Sequence, residues 1–217
     1  MRLYLSDALV LARKDLVLEL RTRDTVPAML LFVLSALVVF HFAVPGNVSA
    51  ETERMVALGL LWIAIVFTAL VGLARAFAAE RERRLLDALI LAPCDRSAIW
   101  LGKTLAVVGF LLLAELIAVP AFALFFETVD ALTIVAILLA NVGIAAVGTL
   151  LAAVSAASRT RELLLPLLFL PLAIPIVVGG VGASIAEAEG RFLGFLALYD
   201  AVFGIISWAT FEYVVTE

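Results

Sequence analysis

Histidine and cysteine occur once each in this 217-residue chain, as His41 and Cys94, and charged residues make up only 16% of it. One cysteine excludes an internal disulfide. A serine or cysteine nucleophile needs a base within hydrogen-bonding reach, but His41 falls near the outer end of the first apolar run and Cys94 in a charged excursion on the other side, so the two cannot meet. There is no CxxC, no HxxxH and no grouping of histidine with carboxylates, so no metal-ligand spacing is present. Gly102-Lys103-Thr104 imitates the end of a phosphate loop, yet the glycine required five residues earlier is Ser97, and an apolar run surrounds the tripeptide. The chain therefore reads as non-catalytic, with no covalently bound cofactor and no nucleic-acid partner.

What is abundant is apolar. Hydrophobic residues account for 65% of the chain and the mean hydropathy is +1.18, well above the roughly 45–50% apolar usage of soluble domains. A helix needs about 20 apolar residues to cross about 30 Å of hydrocarbon, and six runs qualify: Val26–Val44, Met55–Ala74, Thr104–Phe126, Ala131–Ser155, Leu163–Ile185 and Phe192–Val215. Asp200 and Glu212 interrupt the last. The fold class is an all-α integral membrane protein, one permease-like domain over 1–217. Of the fifteen Lys and Arg residues, thirteen precede the first run or follow the second and fourth, leaving only Arg54 and Arg191 opposite. The positive-inside rule places both termini in the cytoplasm, in a multi-pass protein of the inner membrane.

Residues 1–25 are too charged to span. Leu5, Leu9, Ala12, Leu16 and Leu20 form a helical stripe between Asp7, Arg13, Lys14 and Arg21, which predicts an interfacial helix along the membrane. The basic residues are interleaved with acids, unlike a cleavable signal, so the N-terminus is expected to be retained. Asp24 or Thr25 is positioned to cap the next helix, with Pro27 in its first turn.

The one large polar excursion runs from Arg75 to Lys103. It contains Glu80, Arg81, Glu82, Arg83 and Arg84, then an apolar stretch with Leu86 and Leu89, and a stop at Pro93. This reads as a short amphipathic helix, about 80–92, at the cytoplasmic surface and open to a soluble partner. Inside the membrane Glu115 stands near mid-bilayer, where an acid costs about 2.5–3.5 kcal/mol on insertion scales, so it should face protein or a cavity; it is a candidate for a substrate path. Asn141 should hydrogen-bond a neighbouring helix. The fifth run carries Pro166, Pro171 and Pro175 with Gly179, Gly180 and Gly182, and is expected to be kinked or discontinuous, with Pro171 and Pro175 as gating candidates. His41 is a further candidate, because imidazole is a common axial ligand of haem iron.

Together, the surface helix, the six spans, and the acid-and-arginine helix ending in Leu-x-x-Pro before Lys103 resemble the permeases of exporter-type ABC transporters. The string Leu163 to Val178, with its Leu170-Pro171 and Ile174-Pro175 pattern, narrows this to a resemblance to the CcmB family of haem exporters, the cytochrome c biogenesis permease. Arg83 and Arg84 depart from it, since relatives often have a glycine and a small hydroxyl residue there, and Cys94 is also unexpected. The resemblance implies a coupling helix that docks an ATP-binding subunit through Glu80, Arg81, Arg84, Leu86, Leu89 and Pro93, with ATP held by that partner. It further implies a second copy of this chain, a haem-handling membrane subunit, a small single-span subunit and a periplasmic haem chaperone, with haem as the possible substrate. Other readings of the residues are an ABC exporter of a lipid, polysaccharide or drug, a proton-coupled carrier using Glu115, and a scaffold that only recruits the ATPase.

Overall fold

In lipid every backbone N–H and C=O must be satisfied within the protein, which leaves helices as the economical way for these apolar runs to cross. The computed structural model describes residues 2–43, 49–75, 95–157, 161–185 and 189–216, and places seven helices in them: α1 Arg2–Thr22, α2 Thr25–Ala43, α3 Ala50–Arg75, α4 Arg96–Phe125, α5 Ala131–Ala157, α6 Arg161–Ile185 and α7 Glu189–Thr216. The last six are long and apolar enough to span. The excursion helix expected over 80–92, and with it Glu80, Arg81, Arg84, Leu86, Leu89 and Pro93, lies outside the described residues.

Helix starts follow local capping rather than the edges of the apolar runs. Asp95 accepts from the Ser97 N–H at 3.1 Å and its hydroxyl at 2.7 Å, so α4 begins eight residues before the apolar run and carries Lys103 inside it. The Ser49 hydroxyl accepts from the Thr52 N–H at 3.3 Å, and Glu51 and Glu53 sit in the first turn of α3, where negative charge opposes the helix dipole. This draws α3 back to Ala50 from the expected Met55. The fifth run corrects the expectation of a discontinuity: α6 is helical without interruption from Arg161 to Ile185, with Pro166, Pro171 and Pro175 inside it. Neighbouring helices and side chains can support backbone groups that proline leaves unpaired in a membrane helix; the Tyr199 hydroxyl of α7 donates to the Leu172 carbonyl at 2.8 Å, beside the Pro171 carbonyl whose usual donor is lost at Pro175.

The centre of the bundle is α3 and α5, with 61% and 67% of their most apolar stretches buried, against 17% in each of α2 and α7. Helix α5 packs on α7, α6, α4 and α3, and α6 leans on α3, α5 and α7. Buried indoles lock these contacts. Trp62 donates to the Ser184 hydroxyl at 3.1 Å, and its ring lies so close to Gly180 that a Cβ there would fall 2.5 Å from ring atoms. Trp100 donates to the Ala146 carbonyl at 3.3 Å.

Helix α1 is laid against the first half of α4. Ala8 and Leu11 meet Gly102, where a Cβ would fall 2.8 Å from the Ala8 carbonyl oxygen, and Leu16 meets Gly109. The face that α1 buries is Ala8, Ala12, Asp15 and Glu19. Of the apolar stripe read from sequence, Ala12 is buried against the protein while Leu5 and Leu9 are 48% and 60% exposed, as residues turned to lipid would be. Between the helices the Lys103 ammonium lies 2.9 Å from the Asp15 carboxylate, and both residues are buried; the half-exposed Lys14 reaches the other carboxylate oxygen at 3.1 Å. Removing one partner of a buried pair leaves an uncompensated charge and costs about 3–5 kcal/mol, whereas apolar replacement of both is often neutral. Asp15→Asn is therefore expected to destabilise the purified protein sharply, and Asp15→Leu with Lys103→Met to recover most of the loss. Unfolding by SDS titration in mixed micelles measures both.

Candidate functional site

Two places in the bundle concentrate polar groups. The first is the end where α1, α2, α3 and α4 converge, the basic end of the chain. Arg23 ends α1 in the left-handed region, at φ 56°, and its N–H returns to the Glu19 carbonyl at 2.7 Å. This tight reversal delivers the Glu19 carboxylate to the start of α2, where it accepts from the Thr25 N–H at 2.8 Å and the Val26 N–H at 2.7 Å. The cap of α2 is thus Glu19, not Asp24 or Thr25. A carboxylate there satisfies orphan donors and opposes the positive end of the helix dipole. Asp24 contributes its backbone instead: its carbonyl accepts from Arg75 Nη1 at 2.8 Å.

The two flanks of the excursion are thereby tied to one elbow. Arg75, the last residue of α3, holds the α1–α2 turn, while Gly102 and Lys103, early in α4, press on α1 through Ala8 and Asp15. Arg96, the first residue of α4, also lies 3.5 Å from Glu212 near the end of α7. Sequence reasoning put Lys103 at the mouth of the third span, whereas it lies inside α4, and it missed Asp15 and Glu19. The available signal was the run Ala8, Ala12, Asp15, Glu19, which puts small and acidic residues on one helical face.

The second place is intramembrane. Asn141 of α5 donates its side-chain amide to Glu115 of α4 at 2.6 Å. Both residues are buried, so the acid faces protein and the amide bonds a neighbouring helix, as their cost in lipid demands. Glu115 Oε1 and Asn141 Oδ1 have no hydrogen-bond partner among the described residues. Beside them a groove of about 700 Å³ opens between α1, α4 and α5, lined by Leu16, Leu112, Leu116, Ile137 and Glu115 among others.

The remaining candidates lie elsewhere. Pro171 and Pro175 are on α6, which packs on α3, α5 and α7. Asp200 of α7 faces Gly143 on α5, and its Oδ1 is buried without a partner among the described residues. His41 stands at the far end of α2, with ring centroids of Phe42 and Phe125 each at 5.5 Å. Glu115, the two prolines and His41 therefore do not form one site. Among the described residues no three His, Cys, Asp or Glu side chains gather as a metal site would require.

The Glu115–Asn141 pair makes a direct prediction. A buried polar group that loses its partner costs about 1–3 kcal/mol, while removing both partners is close to neutral. Asn141→Ala is expected to lower stability by that amount, and Glu115→Met in the same chain to offset much of it, as a double-mutant cycle in detergent would measure.

Comparison with known proteins agrees with this architecture. The family model described as "CcmB protein" matches residues 6–211. "Heme exporter protein B" of Rhodobacter capsulatus is 31% identical over 183 residues, covering 83% of each chain. The proteins of that name from Pseudomonas aeruginosa and Bradyrhizobium diazoefficiens are 27% and 28% identical, covering 84% and 83% of this chain and 82% of their own lengths. Six apolar helices of spanning length and a match over nearly the whole chain make this a multi-pass membrane protein that belongs to the CcmB family.

Proposed function

We propose that this chain is the membrane-spanning, non-catalytic component of an ABC transporter for cytochrome c maturation. In this reading a separate subunit hydrolyses ATP, and the chain couples that cycle to export of haem or to release of a haem-loaded chaperone. The haem assignment is supported by the relatives, which bear the name heme exporter protein B. The coupling assignment is supported by one observation above all: of the residues on either side of the excursion, Arg75 is bonded to the α1–α2 turn and Lys103 is paired with Asp15 of α1.

The mechanical consequence follows from the helix contacts. Closure of an ATP-binding dimer docked on residues 80–92 would push on α3 and α4 from the cytoplasm. The buried Lys103–Asp15 pair makes α1 move with α4, and the Glu19 cap and the Arg75 hydrogen bond pass that motion to α2. A ligand or partner shifts such an equilibrium only by its differential affinity for two packings of the bundle. Glu80, Arg81, Arg84, Leu86, Leu89 and Pro93 are proposed to make the dock. Two copies of this chain with two ATP-binding subunits would form the transporter, alongside a haem-handling membrane subunit, a small single-span subunit and a periplasmic chaperone. The proposed location is the inner membrane, with both termini in the cytoplasm.

Two measurements test the proposal. Purification in mild detergent from its native membranes is expected to bring the ATP-binding subunit in stoichiometric amount, and Leu86→Glu with Leu89→Glu to lose it; retained binding in that double variant would remove the docking assignment. Cells lacking the chain are expected to fail in c-type cytochrome assembly and to recover with a plasmid copy, whereas normal assembly without it points to another substrate.

A further inference from the structure

At the end of the bundle opposite the basic elbow, the last turn of α2, the first turn of α3 and the last turn of α4 converge on one corner. The His41 imidazole is exposed there, and no hydrogen bond to either ring nitrogen is found among the described residues. Its contacts are with aromatic rings: Phe42 and Phe125 at 5.5 Å and Phe126 at 5.6 Å between centroids. Phe126 in turn stacks on Phe122 at 4.9 Å. The apolar surface beside the imidazole is broad, with Phe42 and Leu124 82% and 86% exposed.

A cation borders the same rings. Arg54, in the first turns of α3, holds Glu127 through Nε at 2.9 Å, with its side chain 53% exposed. Together with Ala50, Glu53, Ala57 and Phe126, this pair lines a cleft of about 160 Å³. Phe126 thus borders both the imidazole and the cleft that holds the guanidinium. The ion pair is made through Arg54 Nε.

These groups select among ligand chemistries. A bare divalent ion wants three or four protein donors, and no such group exists among the described residues. A single imidazole is enough only for a metal that arrives with its equatorial positions filled. A metalloporphyrin does so: it needs one or two axial donors, a flat apolar surface for its macrocycle, and a cation for its carboxylates, which arginine meets in bidentate fashion. We propose that this corner is a docking site for iron porphyrin, with His41 as an axial ligand, Phe42, Phe125 and Phe126 flanking the macrocycle and Arg54 holding a propionate. The inference rests on the haem reading of the family and deepens it by giving that substrate a place on this chain, on the side of the membrane away from the ATP-binding partner.

The test is a hemin titration of the purified chain in phosphatidylcholine nanodiscs, followed by Soret and reduced-state visible spectra. The native protein is expected to show the spectrum of a histidine-ligated haem. His41→Gln should lose that spectrum and weaken binding by about tenfold or more, in the range seen when groups of a metal site are removed. Arg54→Gln should weaken binding several-fold while keeping the spectrum, and because His41 and Arg54 are both exposed, neither change should disturb folding. If His41→Gln binds hemin with native affinity and spectrum, the corner is a membrane-interface aromatic belt and the site is overturned. That outcome leaves the export reading standing; export falls separately, if cells lacking the chain assemble c-type cytochromes normally.

Discussion

The salt bridge between Lys103 and Asp15 joins the helix that precedes the membrane domain to the helix that follows the excursion. Two charges withdrawn from water in this way are costly unless they hold each other closely. Their cost makes the register of α1 against α4 specific: sliding either helix by one turn would separate the pair and drive backbone into the contact at Gly102. From that register the rest of the elbow follows. One turn beyond Asp15, Glu19 reaches the start of α2, and the left-handed Arg23 allows the chain to reverse so sharply that one carboxylate caps the next helix.

The elbow and the intramembrane pair differ in kind. Glu19 and Asp15 are satisfied by donors at close range. Glu115 and Asn141 are bonded to each other but keep one oxygen each without a partner among the described residues, and Asp200 keeps another. Buried acceptors of this sort mark where a second packing arrangement, a proton or a passing polar group would find a partner. They stand on α4, α5 and α7.

At that opposite face the chain spends its only histidine. Placing His41 among phenylalanines rather than hydrogen-bond donors keeps both ring nitrogens uncommitted. In the proposed mechanism the two ends of α4 divide the work: its start would receive force through Lys103, and its last turn, with Phe125 and Phe126, borders the corner where an iron porphyrin would dock.

Much of the architecture was legible in the residues. Hydrocarbon thickness and the need to satisfy every backbone group leave six apolar runs little choice but six helices. The cost of a lone acid in lipid also announced that Glu115 and Asn141 would turn inward. Pairing was another matter. That Asp15 meets Lys103, that Glu19 rather than Asp24 caps α2, and that Trp62 fits over Gly180 all depend on which helices adjoin and in what register. Helical periodicity reports a face without naming the neighbour. The stripe through Leu5 and Leu9 shows the same limit: in a membrane an apolar face is as content against lipid as against protein, so only tertiary packing decided that α1 would bury its alanines and acids. The prolines of α6 were read as a kink or a break, and the helix runs on through all three. Membrane spans were determined by local chemistry, and partners within the membrane by geometry that only the assembled bundle contains.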